Sequence, residues 1–215
     1  LDINEKKLGS ILIDIGGGTS DIIIHHNNAI MHTGAIPLGG ENISKDIAYG
    51  LQTSLEQAEI LKCKHGIAKT SLADEQNKIK IIGTNGREDK EISEKDLAEI
   101  IQPRLYEIFN LVKEEINKSE SRNEFTFGII LTGGGASLKN ISDIAKEIFN
   151  MHVKIGIPDS VNGKIDIINN PRFSTTVGII KYAIDNEKKI NEKIKSNSEK
   201  NIFSSIMNKI KKLIN

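Results

Sequence analysis

The chain has 215 residues, and its 29 Lys and Arg residues balance its 29 Asp and Glu residues, which gives a formal net charge of zero. This balance argues against a general nucleic-acid grip, which needs a strong basic excess. The single cysteine excludes an internal disulfide and fits a reducing compartment. No stretch approaches the roughly 20 apolar residues of a membrane span. Because the sequence begins at Leu1 rather than Met, we expect the C-terminal part of a longer protein.

Three strands and two helices are predicted in the first part of the chain. The first strand is a continuous apolar run, which is typical of a strand buried on both faces. The three strands cover residues 10–15, 21–26 and 29–36, and the helices cover about 41–51 and about 55–64. Ser54-Leu55-Glu56-Gln57 predicts a capping box for the second helix, and Gly66 predicts its stop. Within this helix, Cys63 is expected to be an ordinary packed thiol.

An insert and a long helix are predicted next. Residues 67–92 are polar, and we expect them to form a small inserted subdomain with a strand at 78–83 and a turn at Asn85-Gly86. A helix should then begin after a Ser93 cap and run to about Lys118. Pro103 lies inside this pattern and predicts a kink or an early break.

The last predicted elements alternate between strands and helices. They are a strand at 127–132, a helix at 137–149, a strand at 153–157 and a helix at 172–184. The full order is therefore βββαα, insert, αβαβα, which predicts an α/β fold with helices packed on a mixed five-stranded sheet. We expect residues 1–184 to form this lobe, with the insert at about 67–92.

A glycine turn follows the first strand. Asp14 ends the strand, where burial would be costly unless the carboxylate is paired or metal-linked, and Gly16, Gly17, Gly18 and Thr19 follow it. These residues could present N–H groups and the Thr19 hydroxyl to phosphate, while Asp14 holds Mg²⁺, through water. The alternative is a tight hairpin whose Asp caps the turn. No Lys-Ser/Thr follows the glycines, so this is not a Walker A loop.

The run from Asp14 to Asp21 resembles the second phosphate loop of the actin/Hsp70/sugar-kinase superfamily, and the strand and helix order agrees. The resemblance implies a ribonuclease-H-like lobe with ATP and Mg²⁺ as cofactors. It also implies that the glycine turn contacts the β- and γ-phosphates and that Asp14 organises Mg²⁺ through water. The superfamily's first phosphate loop and other lobe are not found in this sequence, so we expect half of a nucleotide site and poor ATP affinity in isolation.

Two further groups of residues could form the adenosine side of such a site. Gly133, Gly134 and Gly135 link a strand to a helix and would let backbone lie flat against a base, although close strand–helix packing explains them equally well. Glu59 and Lys62 share a helix face, and the alternative is a solvated ion pair. The superfamily resemblance implies that this pair holds the ribose and the base. The histidines show no metal spacing, and the sequence indicates no catalytic residue.

The end of the chain carries a polar run and an amphipathic pattern. Residues 185–200 predict a solvated linker, and residues 201–215 predict a helix whose apolar and lysine-rich faces separate completely. The alternatives are docking on the domain core or in a partner groove, but the linker and the lysines favour an anionic membrane surface. The residues expected to meet the membrane are Ile202, Phe203, Ile206, Met207, Lys209, Ile210, Lys211, Lys212, Leu213 and Ile214.

An actin-type lobe followed by a linker and an amphipathic helix resembles the FtsA family of bacterial cell-division proteins. Gly39-Gly40-Glu41-Asn42-Ile43 and Asn170-Pro171-Arg172 extend the resemblance. It implies a protein at the division site, on the inner face of the cytoplasmic membrane, that forms actin-like filaments and has at most a slow ATPase. The implied partner is the C-terminal tail of FtsZ, docked near the insert. The alternatives are a pilus-assembly actin homologue, a sugar-kinase-type phosphotransferase and an Hsp70-type chaperone.

Overall fold

A computed structural model describes residues 1–83, 88–119, 126–158, 168–184 and 186–187. The chain divides into two compact units, Leu1–Ser174 and Thr175–Asn215. The predicted membrane helix lies outside the described residues, as does the predicted turn at Asn85-Gly86. Of the predicted linker, the structure describes residues 186 and 187, which are helical.

The first unit opens with a short helix that the sequence analysis missed. Helix α1 (Ile3–Leu8) begins with a reciprocal capping box, in which Glu5 N donates to Asp2 Oδ1 at 2.8 Å and Asp2 N donates to Glu5 Oε2 at 2.7 Å. Three strands follow, and they confirm the predicted ranges to within one residue. They are β1 (Ser10–Ile15), β2 (Ser20–His26) and β3 (Ala29–Ile36).

Helices α2 (Gly40–Leu51) and α3 (Leu55–His65) confirm the next two predictions. Ser54 Oγ accepts a hydrogen bond from Gln57 N at 3.2 Å at the start of α3, and Gly66 ends the helix. Each helix buries one apolar face in the core, through Ile43, Ile47, Leu51, Ala58 and Leu61. The expectation of a packed thiol at Cys63 was wrong, because this side chain is exposed on the opposite face of α3.

The insert contains a hairpin of two short strands. Strand β4 (Lys78–Ile81) is two residues shorter than predicted and pairs antiparallel with β5 (Lys90–Ser93), which the sequence analysis missed. Ile79 and Ile81 alternate with exposed lysines and join the hydrophobic core. The hairpin therefore packs one face inward and leaves the other in water.

Helix α4 (Glu94–Lys118) has the predicted start and end. A capping box forms between Ser93 and Asp96, where Asp96 N donates to Ser93 Oγ at 3.1 Å and Ser93 N donates to Asp96 Oδ2 at 2.7 Å. Of the kink or early break expected at Pro103, the break was wrong, because the helix continues through this residue. The kink stays a prediction. Buried apolar residues lie on both sides of the proline, so packing offsets the lost backbone hydrogen bond. They are Leu97, Ala98, Ile101, Leu105, Ile108, Phe109 and Val112.

The rest of the unit differs from prediction mainly at the starts of its helices. Strands β6 (Ile129–Thr132) and β7 (Val153–Ile155) are shorter than predicted. The helix predicted from Ser137 was wrong in its first turn: Gly134–Ser137 is a 3₁₀ turn, and α5 (Ile141–Phe149) begins after Asn140, whose φ is 62°. Another 3₁₀ turn (Pro171–Phe173) lies near the end of this unit. Helix α6 covers residues 174–184 and belongs, from Thr175 onward, to the second unit.

Among the described residues, five strands form one sheet in the order β3-β2-β1-β6-β7, and β4 and β5 form a separate two-stranded sheet. Strand β1 is central, antiparallel to β2 and parallel to β6, so the sheet is mixed, as predicted. In this register Asp14 lies opposite Thr132. Because the carboxyl ends of parallel neighbours meet at one sheet edge, the two predicted glycine turns emerge side by side.

Candidate functional site

The first glycine turn is a tight connection between β1 and β2. Gly16 N donates to Thr19 O at 2.9 Å and closes the turn. Gly17, Gly18 and Thr19 are exposed, and a Cβ added at Gly18 would meet no atom within 4 Å. The space beside Gly18 is therefore open, whereas the Glu41 side chain lies beside Gly17. Exposed backbone N–H groups at such a turn can bind phosphate oxygens.

The inner side of this turn holds the start of α2, which the sequence did not reveal. Gly40 N donates to Gly16 O at 2.9 Å, and Glu41 N donates to Gly17 O at 2.8 Å. A Cβ on Gly39 would lie 2.5 Å from Gly17 O, so the contact requires glycine at that position. The Gly39-Gly40 pair thus lets two main chains approach closely and fixes the turn against the helix.

The second glycine turn lies against Asp14. Gly133 has a φ of 84° and a ψ of 172°, and a Cβ there would lie under 3.0 Å from Asp14 Oδ1 and 2.5 Å from Ile15 O. Gly133 N donates to Pro171 O at 3.2 Å, which holds the turn in place. The half-buried Asp14 carboxylate therefore lies at the junction of the two glycine turns, which the sequence analysis did not predict.

The exposed part of the second turn is Gly134. A Cβ at Gly134 would have only Arg172 Cβ nearby, at 4.0 Å, whereas one at Gly135 would collide with Ile15. The three glycines thus differ: Gly133 and Gly135 permit close packing against β1, and Gly134 presents backbone outward. The packing explanation offered by the sequence therefore describes Gly133 and Gly135, while contact of the Gly134 backbone with a base stays a prediction.

Glu59 and Lys62 form part of a cluster that joins α3 to α2. Lys62 Nζ donates to Glu59 Oε2 at 2.7 Å, to Ser44 Oγ at 2.8 Å and to Gly40 O at 2.8 Å. The Lys62 side chain is only 12% exposed, against 48% for Glu59. The solvated ion pair considered from the sequence does not describe this geometry, because the lysine is largely buried and reaches a second helix.

The Glu59 carboxylate carries further hydrogen bonds. Partial burial works to raise the pKa of Glu59, but hydrogen bonds from Lys62, Ser44 and Cys63 outweigh it and hold that pKa below its usual value. Local desolvation and the Glu59 carboxylate raise the pKa of the Cys63 thiol, so the thiol stays a donor, with Sγ at 3.3 Å from Glu59 Oε1. The cluster therefore presents an ionised carboxylate near neutral pH.

Helix α3 connects the two glycine turns. In its last turn, Lys62 reaches Gly40 and so the first glycine turn. Just beyond the helix, a Cβ on Gly66 would lie 2.7 Å from Leu138 Cδ1, which follows the second glycine turn. Ala68 N also donates to Lys139 O at 2.9 Å. The predicted nucleotide-site residues, from Asp14 to Gly135, thus belong to one connected region of the first unit.

Other site chemistry is limited in the part of the chain that the structure describes. No group of three or more His, Cys, Asp and Glu residues among these residues could hold a metal ion. Every helix among them is too short or too polar to cross a membrane. The predicted membrane-facing residues between Ile202 and Ile214 lie outside this part and stay a prediction.

A protein-family model matches most of this chain. The model described as "Cell division protein FtsA" matches residues 11–178, which include both glycine turns and the α2–α3 cluster. The chain belongs to the FtsA family. It is 40% identical to the FtsA of Pseudomonas aeruginosa over 184 residues, and this alignment covers 86% of this chain and 44% of that protein. It is 34% identical over 217 residues to Escherichia coli FtsA, covering 98% of this chain and 51% of that protein.

Solved structures confirm the actin-like fold of this FtsA-family chain. MreB5 of Spiroplasma citri bound to ADP matches with a TM-score of 0.70 at 23% identity, over 88% of this chain and 57% of that one. The PilM–PilN type IV pilus biogenesis complex matches with a TM-score of 0.60 at 16% identity, over 81% of this chain and 46% of that one. The chain spans about half the length of the curated relatives it matches.

Proposed function

We propose that this chain supplies the nucleotide-binding lobe and membrane tail of an FtsA protein that ties the FtsZ ring to the inner face of the bacterial cytoplasmic membrane at the division site. The observation that carries the proposal is the convergence of Asp14, the two glycine turns and the Glu59–Lys62 pair in one region of a chain that belongs to this family. The family assignment also favours this function over the pilus, sugar-kinase and chaperone alternatives.

The open faces of both turns support ATP as the ligand. The exposed backbone at Gly17, Gly18 and Thr19 offers N–H groups and a hydroxyl to the β- and γ-phosphates, and Gly134 offers a flat surface to the base. The structural neighbour MreB5 has been solved with ADP and with AMPPNP. Any ATPase activity would belong to the complete protein and would be slow.

Asp14 fits a role in organising Mg²⁺. Its carboxylate is half-buried at the junction of the turns, and one oxygen occupies the space that a side chain at residue 133 would take. Mg²⁺ keeps several waters and is commonly bound through one or two carboxylates together with substrate phosphates. One carboxylate beside a phosphate turn suits that pattern. When bound, the ion would neutralise phosphate charge, and Asp14 would orient its waters.

Calorimetric titration of the complete protein with Mg-ATP tests the nucleotide site. We expect Asp14→Ala to weaken Mg-ATP affinity by on the order of tenfold or more, since a charged hydrogen-bonding partner is lost. Asp89→Ala is the matched control, because that carboxylate lies in the β4–β5 insert and hydrogen-bonds Gly83 N. Unchanged affinity in Asp14→Ala would remove this residue from the site.

The tail supports membrane attachment and filament assembly at the division site. Seven apolar side chains in residues 201–215 could each contribute on the order of 1–2 kcal/mol on burial, while the cost of ordering the helix leaves attachment reversible. Assembly into actin-like filaments would strengthen that attachment through avidity. The FtsZ tail would dock near the insert at residues 67–92.

Co-sedimentation with liposomes tests the tether. The full chain should pellet with anionic vesicles and much less with neutral ones, and deletion of residues 201–215 should abolish pelleting. Replacement of Lys209, Lys211 and Lys212 with Gln is the matched charge control and should reduce binding to anionic vesicles only. Equal sedimentation of the truncated chain would refute the tether.

A further inference from the structure

The Glu41 side chain lies against the first glycine turn. Glu41 N donates to Gly17 O at 2.8 Å, and the side chain folds back over the same residue, because a Cβ added at Gly17 would lie 3.3 Å from Glu41 Oε1 and 3.8 Å from Glu41 Cδ. Glu41 is exposed, and among the described residues its carboxylate has no hydrogen-bond or ion-pair partner. A negative charge therefore lies directly beside the exposed backbone of Gly17 and Gly18.

The start of α2 offers no free N–H groups that would offset this charge. A helix N-terminus ordinarily binds phosphate through its first unpaired N–H groups. In α2 these groups are engaged by the protein: Gly40 and Glu41 donate theirs to carbonyls of the first glycine turn, and Asn42 N donates to Gly39 O at 3.1 Å. Helix α2 thus presents to the turn a carboxylate in its first helical turn, where the helix dipole stabilises it.

Asp14 and Glu41 approach the turn from opposite sides of the sheet. Asp14 lies between Ile13 and Ile15, whose side chains join the hydrophobic core. Because successive side chains of a strand point to opposite faces, the Asp14 side chain points away from that core. Glu41 instead comes from α2, which packs on the core face through Ile43. Glu41 is therefore a second acidic position at the turn, separate from Asp14.

This position places Glu41 within electrostatic reach of a phosphate bound at the turn. Consecutive Cα atoms are about 3.8 Å apart, so a phosphate at the open Gly18 backbone would lie within the screening length of about 8 Å at physiological ionic strength. One unit charge at about 4 Å in water changes an affinity by about fivefold. A nucleotide that carries a divalent cation has less negative charge, so the repulsion acts mainly on the cation-free nucleotide.

We propose that Glu41 is a specificity-determining residue that makes the first glycine turn select nucleotide carrying a divalent cation. Glu41 acts through its charge, by repelling phosphates that no cation has neutralised, and it forms no bond to the nucleotide. This inference rests on the proposed ATP-binding function. It gives Glu41 a role distinct from that of Asp14, which would orient the waters of Mg²⁺.

Calorimetric titration of the complete protein with ATP tests this role, once with excess Mg²⁺ and once with a chelator in place of the ion. We expect Glu41→Gln to raise the affinity for Mg-free ATP about fivefold and to change the affinity for Mg-ATP less than about twofold. Glu41→Lys should raise the affinity for Mg-free ATP further, because it also adds a positive charge. Both gains should shrink at an ionic strength of about 1 M, where the screening length is about 3 Å.

Glu56→Gln is the matched control. Glu56 is an exposed acid in the first turn of α3, as Glu41 is in the first turn of α2, so both variants remove a charge that the helix dipole favours. Only Glu41 lies beside the glycine turn, because α3 reaches Gly40 through Lys62 in its last turn. Glu56→Gln should therefore bind ATP as wild type does, with and without Mg²⁺.

Three results would overturn the inference. Equal gains in Glu41→Gln with and without Mg²⁺ would show a repulsion that does not depend on the cation. A loss of Mg-ATP affinity, with Mg-free ATP unchanged, would show that Glu41 helps to hold the ion instead. No change under either condition would show that its charge does not act on the phosphates. Wild-type protein that fails to bind Mg-ATP would instead refute the proposed function itself.

Discussion

The replacement Gly133→Ala tests the packing of the two glycine turns. Gly133 combines a φ of 84° with a ψ of 172°, a backbone region that is essentially restricted to glycine and costs other residues about 1–3 kcal/mol. The added Cβ would also lie 2.5 Å from Ile15 O, which belongs to the central strand. Forcing atoms into a packed site costs typically about 1–3 kcal/mol.

Together these effects predict a loss of about 2–6 kcal/mol in the free energy of unfolding. For a chain of this size, about 1 kcal/mol lowers the melting temperature by about 2–4 °C. We therefore expect Gly133→Ala to melt at least about 4 °C below wild type. The displaced Asp14 carboxylate should also weaken Mg-ATP binding, but the stability measurement does not depend on that proposal.

Urea unfolding followed by circular dichroism, with a parallel thermal melt, is the appropriate measurement. Gly134→Ala is a matched control in the same turn, since its nearest neighbour would be Arg172 Cβ at 4.0 Å and its φ is not positive. The control should remain within about 0.5 kcal/mol of wild type. If Gly133→Ala unfolds at the same urea concentration as Gly134→Ala, the close approach of the two turns is not as described.

Three further results are expected. Gly18→Ala should keep the free energy of unfolding within about 0.5 kcal/mol of wild type, because a Cβ there meets no other atom. It should nevertheless lower Mg-ATP affinity in calorimetry, because the Cβ would occupy space that a phosphate needs. Unchanged affinity would exclude phosphate binding at Gly18. Ser93→Ala should cost about 1 kcal/mol in urea unfolding, because the Ser93 hydroxyl accepts the cap hydrogen bond from Asp96 N and donates to Asp96 Oδ2; a cost of zero would contradict the cap. The pKa of Glu59 lies below its ordinary value of 4.5, so its contribution to stability is full above that pH and is lost as the pH falls through the lowered pKa. The difference in free energy of unfolding between wild type and Glu59→Gln should therefore shrink at acid pH. A difference that grew at acid pH would contradict a lowered pKa for Glu59.

The central sheet could be predicted because its residues carry strong local signals. Strands β1 to β3 are apolar runs separated by glycine and asparagine turns, and their predicted ends agree with the structure to within one residue. Strand β5 carries only one apolar residue, Ile92, and becomes a strand through its pairing with β4. Tertiary pairing of this kind leaves little trace in a short sequence window.

The errors in helices have similar physical causes. The helix starting at Ser137 was predicted from composition, but Leu138 and Lys139 instead contact the end of α3, and Asn140 adopts a left-handed conformation before α5 begins. Helix α1 was detectable, because Asp2 and Glu5 have the spacing of a capping box. The break at Pro103 failed as a prediction because the burial of α4 outweighs one missing hydrogen bond.

The candidate site shows the same division between local and long-range information. The sequence identified Asp14, both glycine turns and the Glu59–Lys62 spacing, because each of these patterns lies within a few neighbouring residues of the chain. It could not indicate that Lys62 reaches Gly40 and Ser44, because spacing along α3 says nothing about a neighbouring helix. Only the packing of α2 on α3 reveals that contact.

The parallel pairing of β1 with β6 has a consequence for biosynthesis. Asp14 and Thr132 are neighbours in the sheet but are separated by more than a hundred residues along the chain. A ribosome that adds about 5–20 residues each second would complete β6 on the order of 6–25 s after β1. Until then, the Asp14 carboxylate and the first glycine turn lack the strand and turn beside them. The proposed nucleotide pocket is therefore assembled late in translation, and a nascent chain cannot gain stability from ATP until most of the lobe has been made.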